Sequence, residues 1–173
     1  QSIVIQSFRD TSNYNDAIST FSNRLQAMGH AHGILLQQSW TGADLHTILT
    51  ESLNSHDASR FHIKGPDVRL AANQALGMTL TLHELLTNAV KYGALSVPGG
   101  RVDIVWTLTG SSPRRLHFEW REGSGPPVDM PKRRGFGTRL IQRVLGSEPG
   151  SQVALNFELS GVVCIVEIDL HSC

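Results

Sequence analysis

The sequence has few cysteines, no net charge and no long apolar run, and each shortage excludes a class of protein. Only two cysteines, Cys164 and Cys173, occur among the 173 residues. Two are too few for a disulfide framework, so we expect a reducing, cytoplasmic setting. The 15 basic and 15 acidic side chains balance, which argues against a nucleic-acid-binding protein that acts through bulk charge. No stretch approaches the roughly 18 apolar residues of a membrane span, so we expect no membrane segment in this chain.

The first part of the chain has the pattern of paired helices. From about residue 16 to residue 38, apolar side chains such as Ile18 and Leu35 recur three and four positions apart, a seam typical of coiled coils and helical bundles. With residues 1–9 as the end of a preceding helix, this pattern predicts a helical hairpin, which either dimerises or packs on its own domain. We therefore assign residues 1–39 to a partial dimerisation hairpin and residues 40–173 to a second domain.

The second domain mixes helices with alternating strands. Asp44 is a candidate cap for a short helix, and a long helix is expected from about Ala71 to Tyr92. Alternating apolar residues predict strands, and a further helix is expected to begin near Gly137. The strand candidates are 60–64, 68–70, 102–108, 116–120, 153–157 and 162–168. We therefore predict an α+β fold, a two-layer α/β sandwich with a mainly antiparallel or mixed sheet.

The long helix concentrates polar groups on one side. At 100° per residue, one stripe is formed by Glu84, Asn88, Lys91 and Tyr92. An apolar stripe about a third of a turn away suits packing on a sheet. Its members are Met78, Leu82, Leu85 and Ala89. A carboxylate, an amide, an ammonium and a phenol side by side can supply a base, a metal ligand and phosphate contacts, although a solvated helix face explains them equally.

Two loops that contain glycine follow the long helix. The first, 120–127, places Glu122 at a strand end, where an acid can accept a hydrogen bond from an exocyclic amine. The second, 133–141, has glycines before a helix whose free N–H groups and dipole favour phosphate. Each loop alone is a weak signal because ordinary turns also need glycine. The order of polar helix, acid–glycine loop and second glycine loop is the informative feature.

That order resembles the Bergerat-fold ATPases and kinases, and within them the sensor histidine kinases of the HWE family. Three segments carry the resemblance: 83–96 looks like the N box, 120–122 matches the Trp-x-Glu signature, and 134–141 looks like the second glycine box. Similarity at 24–25, 31–32 and 40–45 extends the match over nearly the whole chain. The resemblance implies a Bergerat ATP-binding fold and transfer of the γ-phosphoryl group of ATP to a histidine. The phosphoryl group would then pass to an aspartate of a response regulator receiver domain.

The resemblance also implies roles for single residues. Asn88 is expected to coordinate Mg²⁺ through its side-chain oxygen, and Glu84 to act as a base or to orient the acceptor. Glu122 stands where related kinases carry the aspartate that recognises the adenine amino group. His83 either tunes the site as a second catalytic residue or packs away from the nucleotide. The other expected ATP contacts are Lys91, Tyr92, Gly125, Arg134, Gly135, Gly137 and Thr138.

The chain departs from the family pattern at two places. Ser124 stands where related kinases often have glycine, so this loop is expected to approach adenine less closely. The phosphoacceptor box, a His-Arg followed shortly by Asn, is missing, and residues 1–4 resemble the segment that follows it. We therefore expect this fragment to bind ATP with Mg²⁺ without phosphorylating itself, and its full-length parent to be a homodimer.

Two other functions remain open from the sequence. A Bergerat-fold serine kinase of the anti-sigma-factor type shares the ATP chemistry but phosphorylates a protein in trans, and the predicted hairpin argues against it. A non-catalytic dimerisation or interaction module with a vestigial nucleotide site is the second. The presence of Glu84, Asn88, Lys91 and both glycine loops argues against that module, since a decayed site loses some of them.

Overall fold

The computed structural model describes residues 42–111, 113–128, 145 and 150–170. The predicted hairpin of residues 1–39 and the predicted helix near Gly137 lie outside them. Within the described residues the helices are α1 (Leu45–Leu53) and α2 (Ala72–Lys91), with two 3₁₀ turns at Ala58–Arg60 and Ala94–Ser96. The strands are β1 (Ala43–Asp44), β2 (Phe61–Lys64), β3 (Arg69–Leu70), β4 (Arg101–Thr109), β5 (Arg114–Gly123), β6 (Gln152–Glu158) and β7 (Gly161–Leu170).

Five of the strands form one mixed sheet in the order β2-β4-β5-β7-β6. β2 runs parallel to β4, and the other neighbours are antiparallel. A separate two-stranded antiparallel ribbon joins β1 and β3. In the register of β4 and β5, Val102 pairs with Glu122 and Trp106 pairs with Phe118. Because side chains alternate along a strand, all four lie on one face of the sheet, so Glu122 ends a row of core residues.

Both helices pack on that face of the sheet through a single hydrophobic core. Trp106, Phe118 and Trp120 from the strands are completely or almost completely buried, and they share a core cluster with α1 and α2. All four members of the apolar stripe predicted for the long helix are buried in the same cluster. The predicted α+β sandwich is therefore confirmed. Cys164 is also buried there, and burial raises the pKa of its thiol to about 12, so it acts as a packing residue.

Side-chain hydrogen bonds cap the starts of α1 and α2, and one of them connects α2 to the sheet. The predicted cap at Asp44 is confirmed, since its Oδ1 accepts a hydrogen bond from the backbone N–H of Thr47 at 3.1 Å. At the start of α2, Gln74 accepts from the N–H of Ala71 at 3.2 Å and donates to the carbonyl of Asp169 on β7 at 3.0 Å. This double contact joins the start of α2 to the end of β7.

Arg60 differs from its prediction as the first residue of a strand. It closes the first 3₁₀ turn, because its N–H donates to the carbonyl of Asp57 at 3.1 Å. The Asp57 carboxylate in turn caps that turn through the N–H and hydroxyl of Ser59.

None of the helices in the described part of the chain combines the length and apolarity that a membrane crossing requires.

Candidate functional site

Most of the predicted site residues that the structure describes meet where α2 ends. Asn88, Lys91 and Tyr92 occupy its last turn and C-cap and are exposed, with Tyr92 74% exposed. Glu84 is only 8% exposed. The polar stripe predicted for this helix is therefore not uniformly solvated. Glu84 lies further inside the helix, where neighbouring elements cover it, whereas the other three reach the helix end.

Glu122 is a buried acid at the end of β5. It is 2% exposed, its Oε2 accepts a hydrogen bond from the backbone N–H of Ala94 at 2.8 Å, and its Oε1 accepts one from Nε1 of Trp120 at 3.4 Å. Burial raises the pKa of this carboxyl group, and the two hydrogen bonds oppose that rise by stabilising the anion. The two bonds fix the direction of the carboxylate, and a carboxylate of fixed direction can select a ligand by the position of its hydrogen-bond donor.

Two glycines let neighbouring segments approach Glu122 closely, and a third lets its own segment approach Ala94. A Cβ atom at Gly93 would lie 2.0 Å from Oε2 of Glu122, and one at Gly161 would lie 2.3 Å from its carbonyl oxygen. A Cβ at Gly125 would lie 2.6 Å from Cα of Ala94. Gly125, predicted to contact ATP, therefore has a packing role against the residue that binds Glu122. No side chain larger than hydrogen fits at these positions without a shift of their neighbours.

Ser124 is the one residue other than glycine, among those described, with a positive φ, at +57°. The neighbouring Gly123 faces open space, since a Cβ there would meet no atom within 4 Å. Left-handed backbone is costly for a residue with a Cβ. The loop thus retains a backbone conformation that favours glycine, at the position where the resemblance leads one to expect glycine.

We expect Ser124→Gly to raise the free energy of unfolding by about 0.5–1 kcal/mol, because it relieves the left-handed strain at some cost in chain entropy. Urea unfolding measures the change. Ser55→Gly is the matched control, since Ser55 is exposed in a turn and has no positive φ, so glycine there should destabilise the protein. A loss of stability in both variants would contradict the assigned strain.

The remaining predicted residues fall into two groups. His83 is half-buried on α2 and points about 100° away from Glu84 around the helix. Arg134, Gly135, Gly137 and Thr138 lie outside the described residues. Sequence reasoning missed the backbone N–H of Ala94 and the need for glycine at position 93. A glycine directly after a helix is a visible signal, but it indicates a helix end and not a carboxylate beside it.

The family model described as HWE histidine kinase matches residues 1–67 of the chain. The blue-light-activated histidine kinase of Brucella ovis is 38% identical over 167 residues, which cover 94% of this chain and 34% of that protein. The equivalent protein of Brucella anthropi is 39% identical over the same length. The chain belongs to the HWE histidine kinase family. It spans about a third of the length of these curated relatives.

Solved structures of histidine kinases have the same fold. The blue-light activated histidine kinase of Erythrobacter litoralis EL346 matches with a TM-score of 0.68 at 16% identity, covering 98% of this chain and 55% of that one. The separate histidine kinase domain of the same protein matches with a TM-score of 0.63 and is covered over 95% of its length. At this identity the likeness concerns the fold alone, and the HWE family membership comes from sequence.

Two described side chains of this HWE family member have chemistry suited to an adenine nucleotide and to magnesium. An ionised carboxylate offers about four acceptor positions, and Ala94 and Trp120 occupy two of those on Glu122. The acid therefore retains capacity for a further donor such as an exocyclic amine. No cluster of three His, Cys, Asp or Glu side chains suited to a metal occurs in the part of the chain that the structure describes. The exposed amide of Asn88 suits Mg²⁺, which keeps most of its ligands from water and phosphate.

Proposed function

We propose that this chain is the ATP-binding catalytic part of a histidine kinase, which transfers the γ-phosphoryl group of ATP to a histidine. The observation that carries the proposal is the buried, oriented carboxylate of Glu122 beside the exposed last turn of α2 with Asn88. Such an acid recognises a donor-bearing base, and the amide nearby suits a magnesium ion. Membership of the HWE family favours histidine as the acceptor over the serine of the alternative kinase class.

Each residue has a defined task in this proposal. Glu122 accepts a hydrogen bond from the adenine amino group, while Asn88 holds Mg²⁺, which neutralises charge on the phosphates when bound. Glu84 orients the acceptor or removes its proton. Lys91 and Tyr92 project from the helix end toward phosphate or ribose. The segment 132–138 would add basic side chains and backbone N–H groups for the γ-phosphate, so that catalysis rests on positioning and charge neutralisation.

The proposal extends to the protein of which this chain is a part. Its full-length parent acts as a homodimer in the cytoplasm through the hairpin of residues 1–39, and a response regulator receiver domain takes the phosphoryl group. None of the histidines in this chain matches the acceptor box, so in this proposal the acceptor histidine is supplied to the chain from elsewhere. This fragment therefore binds ATP without forming an acid-labile phosphohistidine of its own.

Calorimetric titration with ATP, with and without Mg²⁺, tests the nucleotide site. We expect Mg²⁺ to strengthen ATP binding by the wild type, and Asn88→Ala to lower the affinity measured with Mg²⁺ about tenfold while leaving the Mg²⁺-free affinity unchanged. Because Asn88 is exposed, its loss should alter stability by less than about 0.5 kcal/mol.

The matched control for that titration is Asn156→Ala, which removes another exposed asparagine, on β6, and should bind like the wild type. Absence of ATP binding by the wild type would overturn the proposal and favour the interaction module with a vestigial site. Equal Mg²⁺ dependence in the wild type and Asn88→Ala would instead remove Asn88 from the metal site.

A further inference from the structure

Arg60 binds four backbone carbonyls of the segment that follows α2. Its Nε donates to the carbonyl of Gly100 at 2.9 Å and its Nη1 to that of Leu95 at 3.3 Å. Its Nη2 donates to the carbonyls of Ala94, at 3.1 Å, and Val97. The segment Ala94–Gly100 is thus wrapped around one guanidinium group. The sequence separations of 34 to 40 residues make these contacts tertiary and not local.

The chemistry of arginine suits this task. A guanidinium group offers five N–H donors in a fixed plane, and four of them are used here, whereas a lysine ammonium offers three donors without a plane. The carbonyls at the end of a helical turn carry negative partial charge, which favours a cation there. Arg60 itself is anchored, since it ends the capped 3₁₀ turn and directly precedes β2.

Ala94 connects Arg60 to the candidate nucleotide site. Its carbonyl accepts from Arg60, and its N–H donates to the Glu122 carboxylate. The backbone at Gly100 and at Gly125 lies close to Ala94, since a Cβ at Gly100 would lie 1.7 Å from its carbonyl oxygen and one at Gly125 would lie 2.6 Å from its Cα. Arg60 and Glu122 are thus linked through the backbone of one residue, with the guanidinium group on its carbonyl and the carboxylate on its N–H.

We propose that Arg60 is a positioning residue for adenine recognition, which acts by holding Ala94 so that its N–H orients the carboxylate of Glu122. The inference rests on the proposed function, which makes ATP the ligand of this site. It makes Arg60, which lies outside all three matched motifs, a determinant of which base is bound. Arg60 touches neither the base nor the phosphates in this scheme.

Base selectivity separates positioning from mere stabilisation of the fold. We expect Arg60→Gln to lower ATP affinity about tenfold and to leave GTP affinity unchanged, because only the adenine amino group uses the oriented acid. Arg60→Lys, with three donors, should recover part of the loss. Arg114→Gln is the control, since Arg114 is exposed at the opposite end of β5 from Glu122, and it should match the wild type.

Amide hydrogen exchange at Ala94 reports the positioning without any nucleotide. In Arg60→Gln we expect this amide to exchange about tenfold faster, with the Phe118 amide in the central strand β5 unchanged. If Arg60→Gln does not fold, the same comparison is made with Arg60→Lys, for which an intermediate acceleration is expected. Unchanged exchange at Ala94, or equal losses of affinity for ATP and for GTP, would overturn the inference about Arg60. The proposed function would still stand in that case, provided that the wild type binds ATP. A wild type that binds no ATP would overturn both.

Discussion

Glu122→Ala is expected to lower ATP affinity about 100-fold, which is the effect of removing a charged hydrogen-bond partner. The variant should also lower the free energy of unfolding by about 1–3 kcal/mol, because the N–H groups of Ala94 and Trp120 lose their acceptor in a buried place. Calorimetry with ATP and urea unfolding measure the two effects. Full ATP affinity in a folded Glu122→Ala variant would show that this acid is structural and that adenine is recognised elsewhere.

Glu122→Gln is the companion variant that separates charge from shape. It fills the same space, but its amide group meets one of the two N–H donors with a donor of its own. We therefore expect ATP affinity between those of the wild type and Glu122→Ala. Glu119→Gln supplies the control, since Glu119 lies on the same strand with its carboxylate on Arg121 at the surface, and its ATP affinity should equal that of the wild type.

The pH dependence of stability follows from the raised pKa of Glu122. The folded protein retains this proton to a higher pH than the unfolded chain, so the folded state is favoured most below the ordinary glutamate pKa. That advantage is lost as pH rises through the raised pKa. Glutamine does not titrate, so the stability of Glu122→Gln relative to the wild type should increase with pH across this window. A difference independent of pH would contradict the assigned burial.

Local pattern predicted most of the fold of this HWE family member. Alternation located the strands, the spacing of Met78 and Leu82 identified the buried face of α2, and Asp44 marked the start of α1. These features succeed because each depends on residues a few positions apart. The position of Glu122 at a strand end was also visible, since the alternation that buries Trp120 buries the residue two positions later.

The environment of the site was not predictable in the same way. The burial of Glu84 depends on how neighbouring elements cover α2. The helical pattern shows on which side of the helix Glu84 lies, but not whether that side is covered. The contacts of Arg60 and of Ala94 join residues at least 28 positions apart. The four acceptors of Arg60 and the N–H of Ala94 are backbone groups, which every residue except proline carries in full and which leave no trace in the sequence. The site is therefore recognised by motif but is assembled by tertiary contacts.

Gly93 shows how one such contact constrains the motif itself. Related kinases are expected to have an aspartate at the position of Glu122, and glutamate is longer by one methylene, about 1.5 Å. The space for the longer side chain is the space that a Cβ at position 93 would take, 2.0 Å from Oε2. Glutamate at position 122 and glycine at position 93 are thus parts of one arrangement.

Gly93→Ala is accordingly expected to displace the Glu122 carboxylate from the N–H of Ala94. The added methyl group would also lie 3.0 Å from Cα of Ala89, so it cannot turn away toward the helix. We expect a loss of about 2–4 kcal/mol in the free energy of unfolding, from overpacking and the unpaired donor together. ATP affinity should fall at least about 30-fold, nearly as far as in Glu122→Ala. Gly99→Ala is the control, since no atom lies within 4 Å of a Cβ there.

A double-mutant cycle with Glu122→Asp decides whether the two positions act through shared space. Aspartate alone draws the carboxylate away from Ala94 and should weaken ATP binding. Combined with Gly93→Ala, it frees the volume that the new methyl group needs. The double variant should therefore lose less unfolding free energy than the two single variants together, by at least about 1 kcal/mol. Additive losses would mean that the methyl group acts against the backbone near Ala89 alone. In that case the fit of glutamate at position 122 would not depend on glycine at position 93.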